Sequence, residues 1–149
     1  MEKEVLISIK GMQKYEGTPP DVMELVTKGR LARDGEGYTL SYQESELTGL
    51  EGTLTTIQVE GEQVTLMRVG EFNSQLVFQE GRRHLSMYNT PYGAMAIGVN
   101  TRHLLASLND QGGDIEVDYT IEVDHALAGR NIFRINVREA GGGLDTLKQ

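Results

Sequence analysis

Residues 114–124 alternate without a break. Ile115, Val117, Tyr119, Ile121 and Val123 fall on one side, and Asp114, Glu116, Asp118, Thr120, Glu122 and Asp124 on the other. A period of two over that length fits a β-strand with one buried and one solvated face. It excludes an amphipathic helix, whose apolar residues recur every three or four positions. Such a strand is stable only within a larger sheet that covers its apolar face. The rest of the chain therefore has to supply partners.

It does so repeatedly. Val5, Ile7 and Ile9 alternate with Leu6, Ser8 and Lys10, and Tyr38, Leu40 and Tyr42 with Thr39, Ser41 and Gln43. Segments 53–60 and 63–69 flank the turn Gly61-Glu62, and 74–79 and 82–89 flank Glu80-Gly81. Thr90-Pro91-Tyr92-Gly93 fits a turn followed by a bulge, since Pro91 presets φ and Gly93 accepts a positive one. The strand after it, from 93 to about 105, puts Met95, Ile97 and Val99 on one face. The small residues Ala94, Ala96 and Gly98 share the other, leaving room for close packing, a bulge or a ligand. A turn over 125–130 precedes the last strand, lined by Phe133, Ile135 and Val137. Eighteen glycines against three prolines suit many tight turns.

Two stretches resist this pattern. Residues 21–31 carry a capping-box spacing, Asp21 with Glu24, and a helix-ending Gly29; they also carry β-branched Val22, Val26 and Thr27 in alternation. Helix and strand both remain open there. Residues 44–52, with two glycines and no alternation, form a compact connection that could cross one end of the sheet. About ten strands with tight turns and no long helix make an all-β domain over residues 1–140, with 141–149 as a flexible tail. A single antiparallel up-and-down barrel of about 8–10 strands is favoured over a sandwich because closure leaves no exposed edge.

The formal charge of −8 repels phosphate backbones and anionic lipid, so nucleic acid and membranes are not expected partners. The absence of cysteine removes disulfides and thiolate metal sites, and His84, His103 and His125 lack ligand spacing, so neither a metal nor a cofactor is expected. The N-terminus alternates charged and apolar residues instead of forming a signal-peptide core, which points to the cytoplasm.

The runs YTLSYQESELTGLEGTLTTIQV, GRRHLSMYNTPYGAMAIGVNT and GGDIEVDYTIEV resemble the bacterial YwiB-like family, a domain of unknown function. The resemblance spans nearly the whole chain. It implies a calycin-type, lipocalin-like barrel and a strand over 21–31, and it supplies no function. In lipocalin-like barrels an inward Arg with a Tyr often holds a ligand carboxylate.

Three sets of residues could carry function. Arg82, His84, Ser86 and Tyr88 share one face of their strand, with Tyr92 in the turn; they could orient an anionic or polar ligand at a barrel mouth. Leu85 and Met87 on the opposite face would be the buried side if that strand follows hydropathy alone, turning His84 and Tyr88 outward. Arg68 ends the apolar face Val64, Leu66 and needs a carboxylate or an anionic ligand, with Glu46 or Glu51 as candidate partners. His84 could act as a base oriented by Glu46 or Glu51, but no nucleophile motif accompanies it, and the reading leans away from an enzyme. The leading expectation is a non-enzymatic barrel binding a small, partly apolar or anionic ligand at Arg68, His84, Tyr88, Tyr92, Glu46 and Glu51. The alternative is a solid barrel whose outer face, around residues 88–92, recruits a protein partner or a second copy as a homodimer.

Overall fold

Alternation carries through the chain as sheet. The computed structural model describes residues 1–15, 17–70, 73–90 and 93–140, with 87–90 described as backbone. Ten strands follow one another: β1 (Glu2–Lys14), β2 (Asp21–Asp34), β3 (Gly37–Gln43), β4 (Thr53–Glu60), β5 (Gln63–Gly70), β6 (Ser74–Gln79), β7 (Arg83–Thr90), β8 (Gly93–Asn109), β9 (Gly112–Val123) and β10 (Ala126–Glu139). The expected tail over 141–149 and the centre of the turn at Pro91 and Tyr92 lie outside the described residues. No helix among the described residues is long and apolar enough to cross a membrane.

Each strand pairs antiparallel with its sequence neighbour except β6 with β7, and β1 pairs with β10, giving the order β6-β5-β4-β3-β2-β1-β10-β9-β8-β7. The chain ends are therefore stitched together, and the seam of the barrel lies in mid-chain. The β6–β7 turn is tied to β8 instead: Gly81 N–H donates to Thr101 O (2.9 Å) and Thr101 N–H to Arg82 O (3.1 Å). A register shift between Thr101 and His103 lets long β8 bend at this point. The result is a ten-stranded, nearly closed antiparallel barrel.

Residues 21–31 are strand, paired with β1 from Asp21 to Ala32. Sheet partners on one side override the weak helix signals, and Gly29 serves close packing instead of a cap. The turn expected over 125–130 is much shorter. Asp124 and His125 alone join β9 to β10, both at positive φ (50° and 71°), as a two-residue mirror-image turn requires. Gly129 sits in a register shift inside β10.

The two ends of the barrel differ. At one end, tight turns meet, and Asp110 reaches across to Tyr38 Oη (2.7 Å) and Arg33 Nη1 (3.3 Å). Val5, Ile7, Leu31, Leu40, Val64, Phe78, Val99 and Val117 fill the adjoining interior and are almost fully buried. At the other end lie the longer connections, including 44–52. There β3 leaves β2: their pairing stops at Arg30 and Ser41, while β2 continues along β1 for nine more residues, Asp21 to Gly29. The side chains inside this half are no longer uniformly apolar.

Candidate functional site

The site grows from the inner face of β3. Leu40 and Tyr42 point inward, and the alternation runs two residues past the last apolar one to Glu44, whose side chain is 1% exposed. Glu44 is anchored by its backbone, which donates to Thr53 O (2.9 Å), and by hydroxyls: Thr48 Oγ1 donates to Oε1 (3.0 Å) and Thr55 Oγ1 to Oε2. Thr48 comes from a single 3-10 turn, Glu46–Thr48, capped by Ser45 and by Gly49 in the left-handed conformation. Thr48 and Leu50 of this connection border the same cavity as Met23 and Leu25 of β2.

Arg68, on β5, faces the same space. Its Nε lies 3.8 Å from Glu44 Oε2, close enough for charge compensation and too long for a hydrogen bond. That Nε is buried and has no hydrogen-bond partner. Beside the pair is a cavity of about 290 Å³, walled by Ile9, Leu25, Ile57, Leu66, Phe133 and Ile135 and bordered by Tyr42, Tyr119 and Asn131. A second lobe of about 370 Å³ runs on toward Ile97, Ile121 and Val123. Arg68, Leu76, Tyr119 and Asn131 border both lobes. Phe78 and Tyr119 meet at a tilt (centroids 4.7 Å apart) and both pack edge to face with Phe133 (5.7 and 6.1 Å), which stiffens the wall.

The electrostatics follow from burial. Desolvation raises the Tyr42 hydroxyl well above its ordinary range, and the Glu44 carboxylate adds to the effect while Arg68 opposes it. Burial likewise pushes Tyr119 up to about 12, again opposed by Arg68. Both hydroxyls are neutral donors at physiological pH. One cation, one anion and two neutral hydroxyls thus line a mostly apolar chamber. That arrangement can hold and orient a small molecule.

The chain matches, over residues 7–135, a family model described as a domain of unknown function, DUF1934. The protein belongs to the DUF1934 family. The crystal structure of the ywiB protein from Bacillus subtilis has the same fold, with a TM-score of 0.82, 21% identity and 93% of each chain covered. No curated protein matches the chain.

In this DUF1934 barrel the sequence-derived candidates do not converge on one site. Arg68, at the end of an apolar strand face, borders the interior cavity, and its carboxylate partner is Glu44. Glu46 and Glu51 are exposed, Glu46 in the 3-10 turn and Glu51 in the turn that precedes β4. His84 faces inward: it pairs with Val99, which is fully buried, while Leu85 is 62% exposed. Register overrides hydropathy here, because β7 must follow the face of β8 that carries half-buried Ile97 and fully buried Val99. His84 nonetheless lies at the start of β7, near the closed end, and does not border the Arg68 chamber. Its Nε2 is buried without a hydrogen-bond partner. Glu46 and Glu51 belong to the opposite end, so no His84–carboxylate pair with either is assembled. Tyr92 and the side chain of Tyr88 lie outside the described residues. The small-residue face of β8 points outward, and Gly98 lies beneath the ion pair of Arg83 and Glu122 (2.7 Å). Sequence reading missed Glu44, Tyr42, Tyr119 and Asn131 as site residues. For Glu44 the available signal was position, two residues beyond Tyr42 on the same face.

Proposed function

We propose that this protein is a non-enzymatic binding barrel whose interior chamber takes one small, partly apolar molecule, oriented by Arg68. The observation that carries the reading is the buried, unsatisfied Nε of Arg68 at the boundary of two apolar-walled lobes. An unmet donor on a charged group is costly inside a fold unless a ligand or an ordered water meets it, and a ligand that meets it displaces that water. The first lobe, at about 290 Å³, lies just below the usual span of small-molecule sites, roughly 300–1,000 Å³, which suits a compact metabolite better than a long-chain lipid.

The test is a thermal-shift and native mass spectrometry screen of small acids, amides and aromatic metabolites against the full chain. It is run beside Leu76→Trp, whose indole would occupy the junction of the lobes. Saturable one-to-one binding to the wild type, lost in a Leu76→Trp protein that still melts cooperatively, supports the reading. No binder across the panel, or equal binding by Leu76→Trp, overturns it.

A further inference from the structure

Resting on that reading, we infer that the head group recognised in the chamber is an uncharged, planar group carrying both an acceptor and a donor, of the carboxamide class, and not a carboxylate. The first ground is charge balance. Arg68 already has its counter-charge in Glu44, which is 1% exposed and held by the Thr48 and Thr55 hydroxyls. A carboxylate entering beside them would leave one negative charge uncompensated in a largely desolvated space. It would also approach a chain of net charge −8.

The second ground is the pattern of unmet hydrogen bonds. Arg68 Nε is a buried donor without an acceptor. Asn131, a mostly buried residue bordering both lobes, offers a donor and an acceptor; unlike Arg68 Nε, its polar atoms are not sealed from the chamber, and no side-chain hydrogen bond engages them among the described residues. A carboxylate brings acceptors only and leaves the Asn131 carbonyl oxygen unserved. A carboxamide brings a carbonyl for Arg68 and an N–H for Asn131. The neutral Tyr119 hydroxyl beside them adds a donor and an acceptor without adding charge. The apolar remainder of the ligand lies against Ile9, Leu25 and Phe133.

Isothermal titration of the full chain with matched pairs, benzamide against benzoate and hexanamide against hexanoate, reads the selectivity directly. In each pair the amide binds tighter by about tenfold or more. Glu44→Gln keeps the shape of the side chain and removes its charge, so it narrows or reverses that ratio by strengthening acid binding. A wild-type preference for the acid, or a ratio unchanged in a folded Glu44→Gln, overturns the inference. If Glu44→Gln does not fold, the wild-type ratio decides. If neither pair binds while other molecules in the broader screen do, the carboxamide inference fails and the binding-barrel reading stands. If nothing binds, both fail.

Discussion

Glu44 and Arg68 face each other inside the barrel at 3.8 Å, a compensated charge pair that shares no hydrogen bond. The two residues are not equally committed: Glu44 is satisfied by two threonine hydroxyls, whereas Arg68 keeps a free donor. On the proposed reading, this asymmetry sets the pair apart from a structural ion pair, which would close on itself.

It sets the first prediction. Arg68→Met strands a carboxylate that is 1% exposed and is expected to cost about 3 kcal/mol of unfolding free energy. Glu44→Gln, which leaves Arg68 with partial access to solvent, costs less. The double variant Arg68→Met/Glu44→Gln recovers most of the loss, giving a coupling that a double-mutant cycle in urea measures. Additive losses would refute the coupling.

The second concerns alkaline pH. Burial raises Tyr119 to about 12 from the ordinary 10, and Tyr42 rises further. A raised folded-state pKa means the unfolded chain loses these protons first. Their contribution is complete below pH 10, the ordinary tyrosine value, and drains away as pH climbs toward 12 and beyond. Unfolding free energy should therefore fall steeply above pH 10, and Tyr119→Phe should flatten part of that fall. An ultraviolet titration of tyrosinate, run alongside denaturation, checks both. An unchanged slope in Tyr119→Phe would show that this hydroxyl is not the group responsible.

The third tests the wall of the chamber. Phe78 is fully buried against Tyr119 and Phe133. Phe78→Ala should cost about 3–5 kcal/mol and release the ring of Tyr119. If the aromatic trio fixes the chamber's shape, the variant also loses discrimination among ligand sizes in the thermal-shift screen. Lost stability with unchanged ligand ranking would mean that Phe78 is core only.

The barrel was legible in the sequence because its signals are local and redundant. Val5, Ile7 and Ile9, and Ile115, Val117 and Tyr119, are buried at the expected alternate positions, while Ile121 and Val123 toward the end of β9 are only half-buried. The tight turns at Gly61 and Gly81, both at positive φ, place the strand ends. The site was only partly legible because it depends on register and on the path of one connection. Arg68 could be placed inside from its own strand. Its partner was harder to place: Glu44 continues the β3 alternation two residues past Tyr42, but a carboxylate there reads as the start of the connection, and the 3-10 turn that follows carries no periodicity. His84 was ambiguous for a related reason: β7 takes its facing from β8, and Leu85 gives a misleading hydropathy cue.

The fourth prediction uses the β9–β10 turn. Asp124 and His125 both hold positive φ, a conformation that costs side-chain-bearing residues free energy. Glycine adopts it without that cost, although it gives up chain entropy. His125→Gly should raise stability by about 0.5 kcal/mol and leave the register of β9 and β10 intact. Unchanged or lower stability in chemical denaturation would show that the His125 side chain makes a compensating contribution.

The last joins fold to site through one glycine. Gly29 lies on β2 where β3 departs. A Cβ there would collide with the end of the Ile7 side chain, which can shift, and would sit 2.5 Å from the backbone oxygen of Ser41 and 3.3 Å from Tyr42 Cβ. The oxygen belongs to a strand and cannot rotate away, so Gly29→Ala must push β3 outward, at about 1–3 kcal/mol. Tyr42 and Glu44 ride on that strand and its continuation, so the displacement should also weaken ligand binding. Gly11→Ala is the matched control. Gly11 also borders the chamber, yet its added Cβ would meet only the flexible end of Met23, at 3.9 Å. That variant should keep both its stability and its ligand. If Gly29→Ala loses stability but binds normally, the splay between β2 and β3 is a packing feature alone. Loss of both in Gly29→Ala, with neither lost in Gly11→Ala, makes the departure of β3 the element that shapes the chamber.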